Sequence, residues 1–166
     1  MGLLIKPEDF TGKFRVAINT QTEALLQKYI DKYEKLYLIR LLGVELYKLF
    51  EADVTAYLPQ TPPYTTIYAP IIEDDGNCVR ISEGMKEMIL GFVYFEYLRD
   101  LKFKNTVSGG TVNNVEAANE ADPEVTVYQR YNEAVRNVET IQWYIGEHES
   151  DFPDYNGQEF KLAYWV

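Results

Sequence analysis

The sequence predicts a mainly α-helical fold: a small bundle of about four helices with one β-hairpin, long loops and an extended C-terminal tail. Three observations carry that expectation. Apolar residues recur at steps of three and four over residues 22–52 and 125–145. An Asp75-Gly76 step separates two β-prone runs, which is a hairpin signal. Residues 149–166 hold Phe152, Tyr155, Phe160, Leu162, Tyr164 and Trp165, yet Pro153 and Gly157 deny them a strong helix. At 166 residues the chain suits one helical domain over 1–148, with an N-terminal arm, followed by the tail 149–166.

The elements follow in order. Residues 1–20 contain Pro7 and Gly12 and read as an arm. A helical pattern opens at Thr22. Leu26, Tyr29, Ile30 and Tyr33 form one face, and Leu36, Ile39, Leu42, Leu46, Leu49 and Phe50 resume it. A straight helix over 22–52 would run about 45 Å, so two helices with a bend near Tyr33–Lys35 are expected. Pro59, Pro62 and Pro63 break the chain over 53–65. The runs Thr66–Ile72 and Cys78–Ile81 form the hairpin, with Pro70 confining its strand to an edge. Ser82 is placed to cap the next helix, about 83–104.

That helix is apolar nearly all round: from Met88 to Leu98 only Glu96 is charged. Such a helix is buried on most sides, in its own bundle, against another subunit, or both. Residues 105–122 form a long polar connection centred on Gly109-Gly110, expected to be functional or mobile. Asp122-Pro123 then starts the clearest amphipathic helix, with Tyr128, Tyr131, Val135, Val138, Ile141 and Ile145 on one face.

Composition narrows the function classes. Lys and Arg total 16 against 26 Asp and Glu, a net charge of −10. So acidic a chain is poorly suited to holding nucleic acid or an anionic membrane by bulk charge. No stretch reaches the roughly 18 apolar residues of a membrane span, and the N-terminus lacks the basic leader and cleavage site of a secretory signal. One cysteine, Cys78, cannot close an internal disulfide; it is expected to be a small buried or half-buried hydrophobe. The single histidine, His148, follows the last helix, where the macrodipole favours it. The 14 tyrosines and 8 phenylalanines are in excess, and aromatic residues are enriched at protein interfaces.

Chemistry-bearing motifs are few. Glu73, Asp74 and Asp75 do not match calcium-loop spacing and read as a solvated turn. Gly109-Gly110 lacks the lysine of a phosphate loop. Glu96 is expected to pair with Arg99, three residues on. No residues are assigned to catalysis, a cofactor or a metal, and an enzyme is not expected.

The order of segments is distinctive. Ile5-Lys6-Pro7-Glu8-Asp9-Phe10 precedes a helix pair ending Leu41-Leu42-Gly43-Val44-Glu45-Leu46-Tyr47. A hairpin follows, then Gly91-Phe92-Val93-Tyr94-Phe95-Glu96-Tyr97-Leu98-Arg99-Asp100, then Asn105-Thr106, the glycine-containing loop and a last helix with Gln142-Trp143-Tyr144-Ile145. Over residues 4–160 this resembles the small head–tail connector (neck adaptor) proteins of tailed phages, of the variety found in phages of Bacteroidota, including crAss-like ones. The resemblance implies a ring of about twelve copies, a dodecamer with closed symmetry. The ring would attach below the portal protein, join head to tail and extend the DNA channel. Implied partners are copies of the chain, the portal and neighbouring neck or tail proteins. DNA would pass without specific binding, and no membrane is involved. The implied location is the virion neck, reached from the host cytoplasm during assembly. The family's motifs are structural, and no catalytic residue carries over.

On this reading Tyr94, Tyr97, Phe152, Tyr155, Phe160, Tyr164 and Trp165 are expected at interfaces. The Gly109-Gly110 loop is expected near the channel or a neighbouring ring. The tail either docks on a neighbour, the expectation preferred for an extended segment with spaced anchors, or folds back on its own bundle. The competing function is a monomeric helical protein-binding module, such as an assembly chaperone or a host-directed inhibitor.

Overall fold

A computed structural model describes residues 2–17, 19–74, 76–107 and 123–163, with the side chains of 102–107 and 123–125 outside that description. Gly109, Gly110, Tyr164 and Trp165, named above for the loop and the tail, lie outside the described residues. The fold is a small mainly α bundle. Among the described residues five α-helices and four strands occur in the order α1 (Thr20–Leu42), α2 (Val44–Asp53), β1 (Val54–Thr55), β2 (Leu58–Pro59), α3 (Tyr64–Tyr68), β3 (Ile71–Asp74), β4 (Val79–Ser82), α4 (Met85–Val107) and α5 (Pro123–Glu147). Short 3₁₀ turns at Pro7–Asp9, Gly12–Phe14 and Glu149–Asp151 sit in the arm and at the start of the tail.

Asn19 starts α1. Its side-chain oxygen accepts the N–H groups of Gln21 and Thr22, and its own N–H donates to Thr22 Oγ1 at 2.7 Å. The bend expected near Tyr33–Lys35 is absent. Tyr29, Ile30, Tyr33, Tyr37, Leu38 and Leu41 continue one buried face through that point, so nothing there rewards breaking the hydrogen-bond ladder. The chain turns instead at Gly43, whose φ of 82° is open to glycine at little cost.

Residues 53–70 also depart from expectation. Val54 pairs with Pro59 and Thr55 with Leu58, a second two-stranded hairpin. Its turn residues, Ala56 and Tyr57, have φ of 52° and 69°, without the Asn-Gly or Asp-Gly chemistry that normally announces such a turn. Thr66–Tyr68, expected as strand, belong to α3, which buries Ile67. The strand begins only after Pro70, which biases Ala69 to extended backbone. The expected hairpin is β3–β4, in the register Ile71↔Ser82, Ile72↔Ile81, Glu73↔Arg80 and Asp74↔Val79. Ser82 ends β4 and does not cap α4 directly; its Oγ accepts the N–H of Gly84 at 3.1 Å in the connecting turn.

The near-uniformly apolar α4 is the central helix. It buries Met85, Met88, Ile89, Leu90, Phe92, Val93, Tyr94, Phe95 and Tyr97. It packs against α1 on one side and α5 on the other, and α5 in turn packs against β4. Gly91 permits the α5 contact, since a Cβ there would stand 3.0 Å from both the Ala134 Cβ and the Arg130 carbonyl.

Candidate functional site

Many of the described aromatic side chains pack inside the subunit. Tyr37 stacks on Phe92 with centroids 4.1 Å apart, and Phe160 stacks on Phe92 at 5.4 Å. Tyr97 meets Tyr29 edge-on at 5.4 Å, and Tyr94 meets Phe14 at 5.9 Å. Tyr94 is 9% exposed and Tyr97 is 3% exposed. The expectation that these two face another subunit is therefore corrected. They lie on the α4 sides covered by α1 and the arm, where burial gains roughly 1.5–3 kcal/mol per large side chain without any partner.

The tail is corrected in the same way. As far as Ala163 it is extended, but it folds back as a strap on its own bundle. Phe152 and Phe160 are buried, and Tyr155 is half-buried against the core. The reason lies at the end of α1, whose last carbonyls need donors. Gln158 N–H donates to the Arg40 carbonyl at 2.7 Å and Asn156 N–H to the Leu42 carbonyl at 3.3 Å. The Arg40 guanidinium returns a bond to the Glu159 carbonyl at 2.8 Å and lies over the Phe160 ring. Farther along, Asn132 of α5 bonds both the N–H and the carbonyl of Ala163 at 2.9 Å.

Buried polar groups are structural ties. Glu34 lies within the apolar face of α1, and its carboxylate accepts the N–H groups of Leu3, Leu4 and Ile5 at 2.6, 2.6 and 3.1 Å. A glutamate in step with Ile30, Tyr33 and Tyr37 was the sequence signal for this anchor. Glu96 pairs with Arg99 as expected and accepts the Tyr37 hydroxyl at 2.7 Å. Burial first, and then this bond to Glu96, pushes the Tyr37 phenol well above its ordinary range. His148 stacks on Tyr144 at the end of α5, with Nδ1 2.9 Å from the Tyr144 carbonyl. Cys78 is exposed in the β3–β4 turn region, not buried or half-buried; the core covers the other end of the hairpin, at Ile71 and Ser82.

An open cleft of about 420 Å³ is lined by Lys13, Glu83, Arg130, Glu133, Arg136 and Asn137. Most of its charge is satisfied internally: Lys13 pairs with Glu83 and Glu87, and Arg130 grips both oxygens of Glu133. Among the described residues no group of three His, Cys, Asp or Glu side chains is placed to hold a metal, and no helix is long and apolar enough to cross a membrane.

Among the described residues the three most exposed large apolar side chains gather on the outer face of β3–β4. Ile72 is 72% exposed, Ile81 59% and Val79 56%. Alternation puts these three on one face with Asp74, while Ile71 and Ser82 turn inward and are buried. Arg80, also on the inner face, lies over the Trp143 ring. Thr140 of α5 donates to the Ile81 carbonyl at 3.2 Å and holds the hairpin down. The sequence reading missed this surface. Its signal was present: Ile71, Ile72, Val79 and Ile81 are more apolar groups than one face of so short a hairpin can bury. The outer face thus has the chemistry of a protein-contact surface, apolar with one acidic group.

Comparison with protein-family models, curated proteins and solved structures finds no match to this chain.

Proposed function

We propose that this chain is a structural subunit of a tailed-phage neck ring that attaches below the portal, joins head to tail and extends the DNA channel. The observation that carries the reading is the outer face of β3–β4, where Ile72, Val79 and Ile81 stand in solvent although the bundle has closed its own core. Exposed apolar residues gathered on one small sheet suit contact with another protein. The order of segments supports the phage assignment. The net charge of −10 suits a channel wall along which phosphate slides without being held. The test is to mix the purified chain with the cognate portal ring and image the product. A added layer on the tail-proximal side of the portal is the expected result. A bare portal at saturating protein would sink the proposal.

A second reading, a monomeric helical protein-binding module, draws support from the burial of Tyr94, Tyr97, Phe152 and Phe160 within one subunit. Protein that stays monomeric with the portal, and instead binds one other virion or host protein in a one-to-one complex, would favour it.

A further inference from the structure

The β3–β4 face has a complement elsewhere on the same chain. The outer side of α1 carries Lys28, Lys32, Lys35 and Leu36, which fall at i, i+4, i+7 and i+8 and so share a helix face. Leu36 is 53% exposed. Lys32 bonds the Tyr33 hydroxyl and Lys35 lies over the Tyr47 ring, but none of the three lysines is paired with a carboxylate among the described residues. Asp31 also lies on this side and keeps its charge while it accepts a bond from Gln27 at 2.8 Å, and Asp100 and Glu96 of α4 act on Lys32 from nearby. In a chain of net charge −10, three lysines on one helix side make a locally basic surface, with Leu36 at its edge. The hairpin face is the reverse: an apolar surface bearing Asp74, whose carboxylate accepts the Gly76 N–H at 2.9 Å and keeps its charge.

Placement completes the argument. α1 packs on α4, α4 on α5, and α5 on β4, while α1 and the hairpin share no substantial contact. The two surfaces therefore belong to separate elements of the bundle, so one copy can present both at once. Two different, complementary patches on one molecule make head-to-tail contacts, which close into a ring when the rotation between copies permits. Two α1 faces would oppose lysine to lysine, and a contact between two hairpin faces would show as self-association of the variant whose hairpin is intact.

We propose that the hairpin face Ile72, Asp74, Val79 and Ile81 docks on the α1 surface Lys28, Lys32, Lys35 and Leu36 of a second copy of this chain. The proposal rests on the ring reading and supplies its subunit contact. The experiment uses two variants of the full chain, both at exposed positions, with helicity checked by circular dichroism. One carries Ile72→Asp and Ile81→Asp; the other carries Lys28→Glu and Leu36→Glu. Mass is read by sedimentation over a wide concentration range. The unsubstituted chain is expected to form closed multimers and each variant alone to stay monomeric. An equimolar mixture of the variants should yield a two-chain species and nothing larger, because each still offers the one surface the other needs. The proposal is overturned if the unsubstituted chain is monomeric throughout. It is equally overturned if either variant assembles normally, or if the mixture fails to pair. Multimers that survive both variants would overturn this contact and leave the neck ring standing. Multimers that behave as stated but ignore the portal would keep the contact and sink the neck assignment.

Discussion

The N–H of Gln158 donates to the carbonyl of Arg40 at 2.7 Å, so a residue near the end of the chain caps a helix that ended over a hundred positions earlier. The neighbouring Gly157 makes this possible, since a Cβ there would collide with the Leu41 carbonyl. Gly43 mirrors it from the helix side: a Cβ there would lie 2.7 Å from the Asn156 carbonyl oxygen. The expected consequence is that the strap belongs to the stability of the isolated subunit. Phe160→Ala should cost about 3–5 kcal/mol, which lowers Tm by roughly 2–4 °C per kcal/mol in a domain of this size. Gly157→Val should destabilise through the backbone clash alone. Thermal denaturation of the monomer measures both, and an unchanged Tm for either would show that the strap is not seated as described.

The arm has a comparable tie. Glu34 is buried and satisfies three successive backbone N–H groups at Leu3, Leu4 and Ile5. Glu34→Gln keeps the volume but turns an amide NH₂ toward at least one of those donors. A buried donor left without an acceptor costs about 1–3 kcal/mol. Hydrogen exchange should read this locally, with faster exchange at one or more of Leu3, Leu4 and Ile5 and little change in α5. Uniform acceleration across the bundle would instead mean that the arm and core open as one unit.

How much of this was legible in the sequence depends on the kind of signal. The amphipathic α5, the central burial of α4 and the β3–β4 hairpin were readable, because periodicity and an Asp-Gly turn are local. The β1–β2 hairpin was not, since Ala56 and Tyr57 adopt positive φ under tertiary constraint. The break at Gly43 was misplaced to Tyr33–Lys35 because helix length was weighed without knowing that α4, the arm and α2 would together cover one continuous α1 face. The aromatic residues were misassigned for a deeper reason. Composition counts large apolar groups but cannot say whether their partners lie in the same chain, and here Tyr37, Phe92 and Phe160 find one another across long sequence separations.

Tyrosine burial also sets an alkaline limit. Burial, and then a hydrogen bond to Asp100, pushes the Tyr29 phenol up to about 12 from its ordinary 10.0. Burial and a bond to Glu51 raise Tyr47, and burial and Glu96 raise Tyr37. A raised folded-state value means that the native form holds its proton more tightly than the unfolded chain. The associated stability is complete below pH 10, the unfolded value, and is lost as pH rises toward about 12. Tyrosinate absorbance and far-ultraviolet circular dichroism should therefore change together in that window. Complete tyrosine ionisation near pH 10 with helicity intact would contradict the burial of these phenols.

Two adjacent residues give the sharpest check on the surface assigned to docking. Ile71 and Ile72 have the same side chain, yet Ile71 is 4% exposed and Ile72 is 72% exposed. The pleat accounts for the difference, because successive strand residues face opposite sides and a one-residue slip would exchange them. Ile71→Ala should then cost about 2–5 kcal/mol through the lost core contact and the cavity left behind. Ile72→Ala should stay within about 0.5 kcal/mol in the monomer, as surface substitutions usually do. Chemical denaturation at a concentration low enough to exclude self-association separates the two. Equal costs would mean that Ile72 is covered within its own subunit, and the outward apolar face would vanish along with the contact built on it. A large cost at Ile72 and none at Ile71 would mean that the register is shifted by one.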